Sequence, residues 1–102
     1  MAILHLLRRS ASSPMELAGV LGRARMGDGV LLLGDAAYAG LADACAAAAV
    51  ADAGARGIAL YCLAPDLEAR GIVPQRLRSD IQVIEYSDFV DLSIQYQRNC
   101  SW

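Results

Sequence analysis

The feature that most constrains this chain is a set of short, unbroken aliphatic runs spaced by helical patterns. The clearest is Val30-Leu31-Leu32-Leu33, held between Gly29 and Gly34. Ala2 to Leu7 and Gly57 to Leu63 read the same way, and Ile81 to Glu85 reads as a fourth strand. A strand that is apolar at successive positions needs cover on both faces, which is the condition of a parallel sheet between helices. The segments between these runs carry helix signals. Ser13, Pro14 and Glu16 form a capping-box start, with a side-chain cap, a proline at the first helical position and a glutamate three residues on. Leu17, Val20, Leu21 and Ala24 follow at i, i+3, i+4 and i+7, an apolar stripe that Gly27-Asp28-Gly29 ends.

A second helix is expected from Asp35 to about Asp52. Its inward stripe would be Tyr38, Leu41, Ala42, Cys45 and Ala49, and Gly54 would close it. Pro65 to Gly71 reads as one or two helical turns. Ser87 is placed to cap a last helix with Phe89, Val90, Ile94 and Tyr96 turned inward. The order is thus β-α-β-α-β-(short α)-β-α. That predicts a single-domain, three-layer α/β fold, with a mostly parallel sheet flanked by helices and right-handed crossovers. Ligands of such sheets bind beyond the carboxyl ends of the strands. That rim comprises residues 8–13, 34–38, 64–66 and 86–88.

At 102 residues the chain holds one domain. Hydrophobic residues make up 56% of it, above the roughly 45–50% of ordinary domains. Part of this excess is alanine, and the rest fits a subunit that hides surface against partners. A net charge of −2, with only Arg70, Arg76 and Arg78 loosely clustered among acids, argues against direct nucleic-acid binding. No apolar run approaches the roughly 18 residues of a membrane span, and the start lacks the layout of a signal peptide. The chain is expected in the cytoplasm.

Candidate chemistry is sparse. Gly34-Asp35-Ala36-Ala37-Tyr38 lacks a phosphate-loop spacing, so it is read as a helix cap and a packed tyrosine. His5, the single histidine, has no nucleophile motif with it and is read as a satisfied, buried imidazole. The three cysteines, Cys45, Cys62 and Cys100, form no Cys-x-x-Cys pair, against a zinc site or a disulfide framework. Cys45 and Cys62 look like small core hydrophobes. Cys100, two residues after Arg98, is the one thiol placed to be reactive, a weak catalytic candidate. Trp102, the last residue given, must dock on its own domain or on a partner, since aromatics are enriched at interfaces. Phe89 and Trp102 are the candidate partner anchors.

Several segments in register resemble the DsrH/TusB family. Ile3-Leu4-His5 followed by Ser10 is similar to its opening strand and Ser-Pro. Val30 to Leu33 with Asp35 and Tyr38-Ala39 resembles its Leu-Leu-Leu-x-Asp-Gly-Val-Tyr-Ala. Leu60-Tyr61-Cys62-Leu63 with Asp66-Leu67-Glu68-Ala69-Arg70-Gly71 is close to its Tyr-x-Leu-x-x-Asp-Leu-x-Ala-Arg-Gly. Ile84-Glu85-Tyr86 with Asp88-Phe89-Val90-Asp91-Leu92 and the Ser101-Trp102 ending complete the likeness.

The resemblance implies a DsrEFH-like fold over residues 1–102 as one domain. It also implies a heterohexamer with TusC/DsrF-like and TusD/DsrE-like subunits, two copies of each chain. The TusBCD branch passes persulfide sulfur from TusA through TusE toward 2-thiolation of the wobble uridine of certain tRNAs. The DsrEFH branch serves sulfur oxidation. In both, the main sulfur-carrying cysteine lies on the TusD/DsrE-like partner.

Some DsrH proteins carry a first-helix cysteine where this chain has Val20, and valine forms no persulfide. Ala36 replaces the family's glycine, and Pro14 follows Ser10 at a distance. The expectation is a TusBCD-like subunit with no catalysis of its own and no cofactor or metal. The alternatives are a DsrH-type subunit of sulfur oxidation and a thiol carrier using Cys100.

Overall fold

A computed structural model describes residues 2–8, 14–44 and 47–102. Its core is a five-stranded parallel sheet in the order β4-β3-β2-β1-β5. The strands are β1 (Ile3–Leu7), β2 (Gly29–Leu32), β3 (Ala59–Leu63), β4 (Ile81–Ile84) and β5 (Arg98–Ser101). The helices are α1 (Pro14–Arg23), α2 (Ala47–Ala55), α3 (Ala64–Ala69) and α4 (Tyr86–Gln95), with 3₁₀ turns at Gly34–Gly40 and Pro74–Arg76. The α/β class and the parallel sheet flanked by helices are as expected.

Register decides which side chains share a face, because alternate strand residues point to opposite sides. Leu7, Val30, Leu32, Leu60, Cys62 and Ile81 pack against Val20 and Leu21 of α1, Ala24 just after it, and Val50 and Ala53 of α2. The opposite face presents Leu4, Leu6, Leu31, Tyr61 and Leu63 to Leu92, Phe89 and Tyr96. Continuous apolar strands are thus explained: both faces are covered, but the second carries only α4 among the described helices.

Four expectations change. A fifth strand, β5, pairs in parallel with β1 through Ile3–Arg98, Leu4–Asn99, His5–Cys100 and Leu6–Ser101. Its Arg-Asn-Cys-Ser sequence has no apolar pattern, since it lies at the sheet edge and is largely exposed. The second helix is two pieces: a 3₁₀ turn burying Ala36, Ala37 and Gly40, then α2 burying Val50 and Ala53. Tyr38 points outward and Leu41 and Ala49 are only half-buried. The break follows from Gly40, where a Cβ would lie 3.0 Å from the Ile81 side chain and 3.4 Å from Cys62. The chain passes too close to the sheet there to carry a continuous α-helix of ordinary residues. Finally α4 is capped by Glu85 and Asp88 in a capping box, one turn boundary earlier than Ser87. Its buried residue is Leu92, with Phe89 and Tyr96 half-buried beside it, while Val90 and Ile94 face out. The Ser13 cap and Cys45 lie outside the described residues.

Candidate functional site

The carboxyl rim of the sheet is closed by its own side chains. Gly34, at φ +53°, donates its N–H to Asp66 Oδ2 at 2.9 Å. Arg70 donates from Nε and Nη2 to Asp35 Oδ1 at 3.0 and 2.9 Å, and from Nη1 to the Asp66 carbonyl at 3.0 Å. The N–H that would open an anion cradle is therefore already occupied, and by a carboxylate. Among the described residues this part of the rim fastens β2 to α3, and Gly34 offers no phosphate seat. Gly34 to Tyr38 serves structure here, but Asp35 is not the expected helix cap, since the turn's N-cap is Leu33 and the Asp35 carboxylate is held by Arg70, and Tyr38 is not packed.

The buried polar centre lies elsewhere, on the α1 side of the sheet. His5 Nε2 and Asp28 Oδ2 are 3.0 Å apart, both buried. Asp28 also accepts the backbone N–H of Ile3 at 3.0 Å and of Arg25 at 3.0 Å. Burial pushes the Asp28 carboxyl up, and the donors Arg25, Ile3 and His5 outweigh it, leaving the group below its ordinary value. Trp102 Nε1 donates to His5 Nδ1 at 3.1 Å, and its backbone N–H donates to Leu6 O at 2.9 Å. The two rings lie 6.1 Å apart at 28°, and the Arg23 guanidinium sits 5.3 Å from the indole centroid. An indole N–H only donates, so Nδ1 of a neutral imidazole accepts and Nε2 carries the hydrogen that meets Asp28.

Trp102 thus docks on its own domain and still leaves 41% of its surface exposed. His5 is the satisfied buried imidazole that the sequence led one to expect. Asp28, read only as a turn residue, is the partner that sequence reasoning missed. The available signal was its position one residue ahead of β2, beside the opening strand.

The thiols divide as expected where they are described. Cys62 is fully buried, and burial, then the Asp66 charge, pushes it up to about 12. A thiol so placed is protonated and inaccessible, a core residue rather than a nucleophile. Cys100 is a free, half-buried thiol on β5, in register with His5. No hydrogen bond joins it to the imidazole, whose Nδ1 is taken by Trp102. Among the described residues no group of acids, His and Cys could hold a metal ion. No described helix is long and apolar enough to cross a membrane.

One exposed surface stands out. Tyr86, Val90 and Ile94 of α4 are 57%, 56% and 76% exposed. At a spacing of four they form one stripe along the outer face of the helix. Phe89 lies beside the stripe, half-buried against the sheet. The two candidate anchors therefore sit on opposite faces of the sheet, Phe89 with α4 and Trp102 with α1.

Comparison with known proteins follows the whole length of this fold. The family described as "DsrH like protein" matches residues 9–99. Protein TusB of Sodalis glossinidius is 37% identical over 100 residues, covering 98% of this chain and 100% of that one. Protein TusB of Photorhabdus laumondii is 38% identical over 76 residues, covering 74% and 76%. Protein TusB of Escherichia coli is 35% identical over 100 residues, covering 98% and 100%. Two solved structures share the fold. A Methanobacterium thermoautotrophicum protein of unknown function has a TM-score of 0.76 at 13% identity, covering 99% of this chain and 97% of its own. The solution structure of a Thermotoga maritima protein gives 0.67 at 21%, covering 93% of each.

Proposed function

The chain belongs to the DsrH family, and from that membership we propose that it is a non-carrying subunit of a TusBCD-like sulfur relay. The family supports a place in a sulfur relay. The finer reading is that the relay passes persulfide sulfur toward 2-thiolation of tRNA wobble uridine, in the cytoplasm. There this chain assembles with TusC/DsrF-like and TusD/DsrE-like subunits into a heterohexamer. The carrying observation is the match to TusB proteins along nearly the full chain.

The geometry supports the passive part of that role. Val20, at the position where some DsrH proteins carry a cysteine, is buried between α1 and the sheet. Cys62 is sealed in the core. The partners have an apolar surface to cover in Tyr86, Val90 and Ile94, with Phe89 packed beneath, and a second in the exposed part of Trp102. Buried aromatic anchors carry much of the energy of such interfaces.

The test is co-expression with the two putative partner chains, then loading with persulfide and locating the added sulfur by intact mass. The expected result is a stable assembly with sulfur on the TusD/DsrE-like chain and none on this one. A chain that stays monomeric beside its partners sinks the subunit reading. Sulfur on Cys100, with transfer stopped by Cys100→Ser, sinks the passive role instead.

A further inference from the structure

The hydrogen bonds around His5 leave one place for a second proton, and that place is already in use. Nε2 carries the hydrogen that meets Asp28 at 3.0 Å. The remaining lone pair, on Nδ1, accepts from the Trp102 indole at 3.1 Å. A proton arriving at Nδ1 would leave the Asp28 contact in place and turn it into a charged pair. It would also set two N–H groups against each other at the indole, where neither can accept.

We propose that His5 is a proton-operated latch: neutral, it seats Trp102 and the edge strand β5, and protonated, it releases them. The step is a simple proton gain at Nδ1 with loss of one hydrogen bond. The sign follows directly. The indole contact needs the neutral imidazole, so it is present at higher pH and lost as pH falls through the imidazole titration.

Among the described residues the charged and titratable groups around the ring come from each element packed there. Asp28, ahead of β2, is in direct contact and favours the protonated ring. Arg23 at the end of α1 lies beyond the indole. Arg56, after α2, donates to the carbonyls of Leu21 and Ala24 and places its charge at the same end of α1. Both guanidiniums oppose the added proton. On β5, Cys100 is in register with the ring and Arg98 lies two residues before it, exposed. From the α4 side, Tyr96 sits near enough for Asp28 to affect it. The only group in hydrogen-bond contact with the imidazole that is charged is therefore the carboxylate.

What the latch holds is weakly held otherwise. β5 is a four-residue edge strand with no fully buried side chain. Beyond the ladder to β1, Trp102 is fixed by its N–H to Leu6 O, by the indole bond and by Arg23. Loss of one net hydrogen bond from so short a segment is enough to shift its opening equilibrium severalfold. The proposal concerns this chain alone and does not depend on the relay assignment.

The experiment uses the full chain, whose single tryptophan makes indole signals unambiguous. Imidazole and indole nitrogens are followed by NMR from pH 8 to 5, the range in which histidines ordinarily titrate. Amide exchange of residues 99–102 is measured in parallel and corrected for intrinsic rates. The expected result is a neutral tautomer with hydrogen on Nε2. As the ring protonates, the indole N–H should lose its hydrogen-bonded shift, and exchange at 99–102 should rise about fivefold, the equivalent of one net hydrogen bond. His5→Asn keeps an acceptor near Nδ1 that cannot titrate, and should hold Trp102 seated across the range. A ring that carries its hydrogen on Nδ1, or that stays neutral to pH 5, overturns the latch. So do Trp102 signals that ignore its protonation, or the same transition in His5→Asn. If His5→Asn fails to fold, the wild-type titration decides alone.

Discussion

Asp28 gathers three donors from separate points of the chain on one buried carboxylate. Its carboxylate takes the N–H of Ile3, the N–H of Arg25 and the imidazole of His5, all at 3.0 Å, the first two partly buried and the third fully. It therefore ties the first residue of β1, the turn after α1 and the middle of β1 to one point. Asp28→Asn keeps the shape but places an NH₂ where one of three donors must be accepted. Hydrogen bonds to a charged acceptor are worth about 1.5–3 kcal/mol each, so the expected loss is about 2–4 kcal/mol. The pH dependence has a fixed sign. The folded carboxyl lies below its ordinary value of 3.8, so its contribution is complete above that value and is lost as pH falls through the lower folded one. Urea midpoints of wild type and Asp28→Asn should differ at neutral pH and converge below about pH 3.8. A gap that is the same at pH 3 and pH 7 would remove the charge from this account.

At the level of elements, the docking of α4 depends on a residue with no side chain. A Cβ on Gly29 would lie 2.5 Å from the Tyr96 hydroxyl oxygen and 2.8 Å from its ring carbon. Tyr96 ends α4 and packs with Phe89 and Leu92 over the second face of the sheet. Its hydroxyl titrates far above the ordinary tyrosine range because of burial first and the Tyr61 hydrogen bond second. Gly29→Ala must push this tyrosine out of a filled site, at a cost of about 1–3 kcal/mol. The loss is read from the thermal midpoint. Gly27→Ala, with open space at its Cβ but φ +92°, separates backbone strain from crowding. If the two variants lose the same stability with Tyr96 unmoved, crowding is not the cause. The sequence showed β1, β2 and β3 because continuous apolar residues reveal a doubly covered strand, and β4, at the sheet edge, through Ile81, Val83 and Ile84 alone. It hid β5 because Arg98, Asn99 and Ser101 face solvent at an edge and need no apolar pattern. It hid the break before α2 because alanines satisfy helix propensity on either side of it, while the cause is the close approach of Gly40 to Ile81, a contact distant in sequence. The His5 environment was half legible: a lone histidine in a strand implies a partner, but only the register Leu4–Gly29 and His5–Val30 brings Asp28 to it. In α4, Val90 and Ile94 looked inward because they are apolar, but the helix turns Leu92 and Phe89 to the sheet and leaves Val90 and Ile94 on its outer face.

On the scale of the whole molecule, the two faces of the sheet are finished unequally. One is buried under α1, α2 and the 3₁₀ turn, and the other under α4, whose outer side is apolar at Tyr86, Val90 and Ile94. A free helix of this length would carry polar residues there, and Asp91, Gln95 and Ser87 supply only part of that face. Under the proposed relay function the stripe would be covered by the partner subunits, and the unequal finish would follow from assembly. Val90→Glu with Ile94→Lys tests this without disturbing the domain. The pair is spaced i, i+4 in the favourable order on a helix and keeps the net charge at −2. Substitutions at exposed positions change stability by about 0.5 kcal/mol or less, so the thermal midpoint of the isolated chain should hold. At an interface the same two charges must be desolvated, a cost of several kcal/mol that their mutual attraction need not repay, and this should abolish co-purification with the TusC/DsrF-like and TusD/DsrE-like chains. A complex that forms undiminished with this double variant would place the partners elsewhere on the molecule. The exposed side of Trp102 would then be the surface to change next, by Trp102→Ala.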